Sequence, residues 1–124
     1  MKHASNLEKI IETSSYKKGL AKISHKGLDR DKLNMDVQDI IEGNPLVGVV
    51  IPGGGGVRKF RHQIPGVGKR GGCRVVYYYH DGCCPIYMLD IFAKNEREDL
   101  TQAEKAMFAQ FVRELKRIYH GENA

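Results

Sequence analysis

A chain of 124 residues that is 41% apolar and 28% charged has room for one hydrophobic core, is too short for two, and is too apolar for wholesale disorder. No apolar run reaches the length of a signal peptide or membrane span, and three cysteines, two of them adjacent (Cys73, Cys83, Cys84), argue against a secreted disulfide framework. The expectation is a reduced, cytoplasmic, single domain over residues 1–124, with no membrane contact and frayed ends at 1–6 and 120–124.

Leu7 to Glu12 reads as a short first strand. Thr13, Ser14 and Ser15 offer N-caps for a helix that turns Tyr16, Leu20 and Ile23 inward. Asp29 caps a second helix with Leu33, Val37, Ile40 and Ile41 as its apolar stripe, and Gly43 with Pro45 stops it. A connection follows, with the apolar run Val47 to Ile51 and then Pro52 and four glycines. The periodicity then becomes that of strands, at Val57 to His62, Cys73 to His80 and Pro85 to Ala93, with Asp81-Gly82 as a hairpin turn. Thr101 to Glu104 is a capping box, opening a helix with Phe108, Phe111, Val112, Leu115, Ile118 and Tyr119 on one face. This order predicts an α+β domain: an antiparallel sheet with two N-terminal helices and one C-terminal helix, the strand at Cys73 to His80 lying in the centre.

The net charge of +5 is local. Between Gly43 and His80 stand Arg58, Lys59, Arg61, Lys69, Arg70 and Arg74 with no acid, whereas the rest of the chain holds 14 basic and 15 acidic residues. Strand alternation groups these cations, because residues two apart share a face. Burying Phe60 turns Lys59 and Arg61 to the other side, and burying Val75 and Tyr77 turns Arg74 and Tyr78 likewise, with Lys94 at the end of the third strand. Such a groove, with Lys69 and Arg70 on a loop beside it, suits an anionic polymer: arginine forks grip phosphate, lysine adds point charge, and Tyr78 could stack on an unpaired base. The plainer alternative is a solvated basic face.

Other chemistries fit less well. His80, Cys83 and Cys84 lack the ligand spacing of zinc sites, so no metal and no cofactor is expected. Gly53 to Gly56 and Gly66 to Lys69 are not a nucleotide loop, since Arg70 stands where Ser or Thr is needed; a flexible connection is the better account. Alternation puts His62 with Phe60, as a structural histidine rather than a base. Asp90, inside an apolar strand, needs a cationic partner, for which Lys94 is one candidate.

Three separated blocks, Gly56-Val57-Arg58-Lys59-Phe60-Arg61, Gly68-Lys69-Arg70-Gly71-Gly72-Cys73-Arg74-Val75-Val76-Tyr77-Tyr78-Tyr79 and Ile86 to Thr101 with its Ala93-Lys94-Asn95-Glu96 and Asp99-Leu100-Thr101, resemble the RelE/HigB-like toxins of type II toxin-antitoxin systems, in the RelE/ParE superfamily and closest to the HigB-like branch. The resemblance implies a RelE-like microbial ribonuclease-type fold, a cognate protein antitoxin of helix-turn-helix type, and cleavage of messenger RNA at the ribosome. By position it implies catalytic roles for Lys59, Arg61, Arg74 and Lys94, while Arg58, Lys69, Arg70 and Tyr78 are the candidate RNA-binding residues of the basic groove. Asn95 departs from the pattern, at a position where related toxins can carry arginine. Cleavage without metal needs a group to take the ribose 2′ proton and donors for the charge on phosphate. Lys59 or Lys94, set among like charges, is the candidate base, and Arg61 and Arg74 the stabilisers. A non-catalytic RNA-binding module and a ParE-like gyrase inhibitor are the alternatives.

Overall fold

The computed structural model describes residues 9–23, 27–64, 71–80 and 84–120. Lys69, Arg70, Cys83, the Asp81-Gly82 turn and the start of the first strand at Leu7 lie outside them. In chain order the elements are β1 (Ile10–Glu12), α1 (Ser14–Lys22), α2 (Arg30–Gly43), β2 (Val49–Val50), β3 (Arg58–Gln63), β4 (Gly72–Tyr78), β5 (Ile86–Ala93) and α3 (Gln102–His120). The strands form one sheet in the order β1-β5-β4-β3-β2. As the periodicity implied, β4 lies between β3 and β5 and is antiparallel to both.

The sheet departs from the expected pattern at its two edges. β1 runs parallel to β5, Ile10 opposite Ile86, so the sheet is mixed. Its three residues pass straight into α1, and the junction is fixed on β5: the Thr13 N–H donates to Met88 O at 3.1 Å and the Thr13 hydroxyl to the same oxygen at 2.8 Å. At the other edge part of the apolar run after Pro45 becomes β2, pairing with β3. Exposed side chains at Val49 and Val50 broke the pattern of burial by which strands are recognised.

Helices cover both faces. One core joins α1 and α2 to the sheet through Tyr16, Leu33, Val37, Ile41, Val75, Tyr77 and Met88. The other joins α3 through Val76, Tyr78, Leu89, Phe92, Phe108, Val112 and Leu115. β5 is buried from Ile86 to Phe92, which explains its almost unbroken apolar sequence. The stripe of α3 ends sooner than its periodicity implied: Phe111 is half-buried, while Ile118 and Tyr119 are exposed.

The caps behave as their residue types dictate. The Thr13 hydroxyl accepts from the Tyr16 N–H at 3.3 Å and Asp29 from the Lys32 N–H at 3.1 Å. At α3, Thr101 Oγ1 accepts from the Glu104 N–H at 3.1 Å while Glu104 accepts from the Thr101 N–H at 2.8 Å, a reciprocal capping box. The glycine run is not the flexible connection its composition implied. Gly53, Gly55 and Gly56 have positive φ, and a Cβ on Gly55 would stand 2.8 Å from Ala109 Cα, so this turn is seated against α3.

Candidate nucleic-acid interface

The register of β3 on β4 decides which cations meet. Arg61 lies directly opposite Arg74, and Lys59 opposite Val76; Phe92 of β5 faces Arg74 from the other side. Directly paired residues share a face, and Val76 and Phe92 belong to the α3-side core. Lys59, Arg61 and Arg74 therefore stand together on the α3 face, as alternation required. Arg61 is exposed and Arg74 half-buried, so the row lies where α3 no longer covers the sheet.

Arg74 Nε is buried and, among the described residues, has no hydrogen-bond partner. A buried charged donor left unpaired is costly, and an incoming oxygen would satisfy it. Lys59 is held differently: its Nζ donates to Asp99 Oδ2 at 2.8 Å, with side-chain exposures of 18% and 40%. Asp99 Oδ1 in turn accepts from the Leu100 N–H at 2.8 Å. The hydrogen bond from Lys59, with the Leu100 N–H and the nearby positive charge of Arg74, holds Asp99 below the usual carboxylate range despite some burial. An interval with no acid in sequence thus gains one in space, from the segment that leads into α3.

Lys94 sits just past β5, its N–H bonded to Gly72 O at 3.0 Å and its ammonium 3.9 Å from Glu98. Two of the expected RNA contacts are placed otherwise. Arg58 pairs with Tyr77 across the strands, on the α1/α2 side, and its Nη1 donates to Gly48 O at 2.7 Å, tying down the β2 edge. Tyr78 is on the expected face, yet α3 buries it to 3% exposure. Its hydroxyl lies 3.2 Å from His80 Nδ1, and its ring offers no open surface to a base.

His62 is half-buried on the opposite face. Burial pushes its basicity down, with Asp36 opposing and Lys32 reinforcing that shift, which fits a structural histidine. Asp90 is partnered by Arg97 at 2.8 Å rather than by Lys94. Val76 pairs with Asp90 but Tyr77 with Met88, so a β-bulge leaves Leu89 extra. It lies before Asp90, which keeps the parity of Phe92 and Lys94, and the change of partner comes from Arg97 reaching back to the strand while Lys94 lies beside Glu98. Burial raises Asp90 to about 6 against the opposing pull of Arg97 and the Ile91 N–H. Arg97 also grips both oxygens of Glu104, at 3.0 and 2.9 Å, and lies 4.2 Å from the Phe92 ring centroid. The segment between β5 and α3 is therefore stapled near its middle.

Sequence reasoning missed Asp99 and Arg97. Both lie inside the third block of the resemblance, and Asp99 stands two residues before the capping-box threonine, which was the available signal. A separate cavity of about 350 Å³ lies between α1 and β5, lined among others by Lys18, Lys22 and Arg97 and by Asp90, Glu96 and Glu104. Its balanced charges give it no electrostatic preference for a polyanion.

Fold and site define a small basic α+β protein whose central strands present paired arginines on the α3 face. Residues 9–122 match the family described as the RelE toxin of the RelE/RelB toxin-antitoxin system. The chain belongs to the RelE toxin family and is a toxin of a toxin-antitoxin system. Among solved structures it is similar to a doubly substituted E. coli toxin RelE in the free state, with a TM-score of 0.51 and 14% identity over 80% of this chain and 93% of that one. At that identity the likeness is one of fold. Among the described residues no helix is long and apolar enough to cross a membrane.

Proposed function

We propose that this toxin is a cytoplasmic endoribonuclease that cuts messenger RNA on the ribosome, using its own cations rather than a metal, and is restrained by a cognate helix-turn-helix antitoxin. The observation that carries this reading is the Arg61–Arg74 pair with its orphaned buried Nε. In the reaction the ribose 2′ oxygen bonds to the adjacent phosphorus and the bond to the 5′ oxygen breaks. One proton leaves the 2′ hydroxyl and one reaches the departing oxygen. Arg61 and Arg74 stabilise charge on the non-bridging oxygens. Lys59, held by Asp99, is suited to donate to the leaving oxygen, and Lys94 is the candidate acceptor of the 2′ proton, a role it fills only as the neutral amine. Lys69 and Arg70 add positive charge for the RNA backbone; Arg58 and Tyr78 support the strands.

The test is incubation of the purified protein with messenger RNA, with and without ribosomes, beside a gyrase supercoiling assay. Ribosome-dependent appearance of cut message is expected. Intact message with inhibited supercoiling would replace this reading with that of a gyrase inhibitor, and ribosome binding without cutting would leave a non-catalytic binder.

A further inference from the structure

We infer that Asp99 is a positioning residue for the cleavage reaction, acting through Lys59, an inference that rests on the ribonuclease reading above. Lysine carries three rotatable donors on a flexible stem, so an unsupported Lys59 would sample many directions across the sheet. Asp99 takes one of those donors at 2.8 Å and leaves two for the RNA.

The carboxylate can act as a fixed support because it is itself fixed. Its other oxygen is held by the Leu100 N–H. The segment that carries it is anchored before it by Arg97, bonded to Asp90 and Glu104, and after it by the capping box at Thr101. Arg74 stands close enough to influence the charge on Asp99, so the support lies at the arginine row. Asp99 also places a negative charge beside Lys59 and the arginine row, which offsets the repulsion among those cations. Lys59 therefore enters the reaction as a stationary proton donor, and Asp99 touches neither the RNA nor the reacting atoms.

Asp99→Asn keeps an acceptor for the Leu100 N–H and removes the charge. It should lower single-turnover cleavage of ribosome-bound message about tenfold while ribosome affinity stays within twofold of the wild type. In a Lys59→Gln background Asp99→Asn should cost nothing more, since a residue that works through another loses its effect when that other is gone. Amine acetylation followed by mass spectrometry reads the pair without any cleavage: Lys59 should label several-fold faster in Asp99→Asn, with the other lysines unchanged. Wild-type cleavage by Asp99→Asn, a further loss in the Lys59→Gln background, or equal labelling of Lys59 in the two proteins would each overturn the assignment. Failure of the wild type to cut message, with the labelling contrast intact, would instead sink the ribonuclease reading and leave Asp99 as the support of a binding lysine.

Discussion

Setting Arg74 directly across from Arg61 places like charges in a position that ordinarily costs some tenths of a kcal/mol, and the unpartnered Nε adds to that cost. Removing this side chain should leave the fold intact while weakening the site. Arg74→Ala is expected to slow ribosome-dependent cleavage about a hundredfold, the scale of a lost oxyanion donor, with a much smaller change in ribosome binding. Arg74→Lys should rescue only in part, since it keeps the charge and loses the planar fork. Single-turnover cleavage beside direct binding measures both; parallel losses would reduce Arg74 to a phosphate anchor. Asp90 makes a second prediction at this scale. Burial raises its carboxyl to about 6 in the folded protein, above the unfolded value of about 3.9, so its stabilising contribution is full below pH 4 and is lost as pH rises through 6. The loss is on the order of 2–3 kcal/mol, and Asp90→Asn should flatten that part of the pH–stability curve, as followed by urea denaturation from pH 4 to 7. Alternation alone was enough to group Lys59, Arg61 and Arg74, because turning Phe60, Val75 and Tyr77 inward leaves the cations the other face. Asp99 was not legible in the same way, because its contact with Lys59 spans 40 positions and no periodicity links the two.

Elements with a cap, a stripe and a stop were readable one by one. Asp29 and Thr101 mark the starts of α2 and α3, and β4 and β5 follow from apolar runs. What local pattern does not contain is direction and cover. Three residues of β1 have no periodicity that could reveal a parallel partner, and nothing within Gly53 to Gly56 announces that Ala109 lies above them. The seat of the glycine turn under α3 can be tested directly. Gly55→Ala forces a Cβ onto a residue with φ of +76° and to within 2.8 Å of Ala109 Cα. Backbone strain and overpacking together should destabilise the protein by about 2 kcal/mol or more. Gly53→Ala, at a φ of +81° but with open space around the new methyl, should cost only the strain, about 1 kcal/mol. Equal losses in chemical denaturation would show that α3 does not press on this turn.

At the scale of the whole molecule, a charge of +5 gathered between Gly43 and His80 means that RNA binding, on the ribonuclease reading, proceeds with counterion release. Affinity for ribosomes or RNA should fall steeply with salt, and replacing Lys69 or Arg70 by alanine should reduce the slope of log affinity against log salt by about 0.7–0.9 per lost phosphate contact. A filter-binding series across salt concentrations gives that slope; an affinity indifferent to ionic strength would remove the electrostatic basis for RNA binding. Overall class was legible from composition and element order, since one core, two N-terminal helices, a meander and a last helix admit few arrangements.

The parallel seam also orders events in time. Thr13 closes onto Met88 across 75 positions, and loops of that span form late because closure entropy must be met before their contacts stabilise anything. β3 and β4 precede Asp99 and α3 in the chain, so the basic strands leave the ribosome ahead of the surfaces that seat them. On a ribosome still translating this message, the nascent toxin is a run of cations without an assembled site. The arginine row and its lysine support are completed only once the sequence beyond β5 has emerged, which separates the synthesis of the toxin from the assembly of its basic surface.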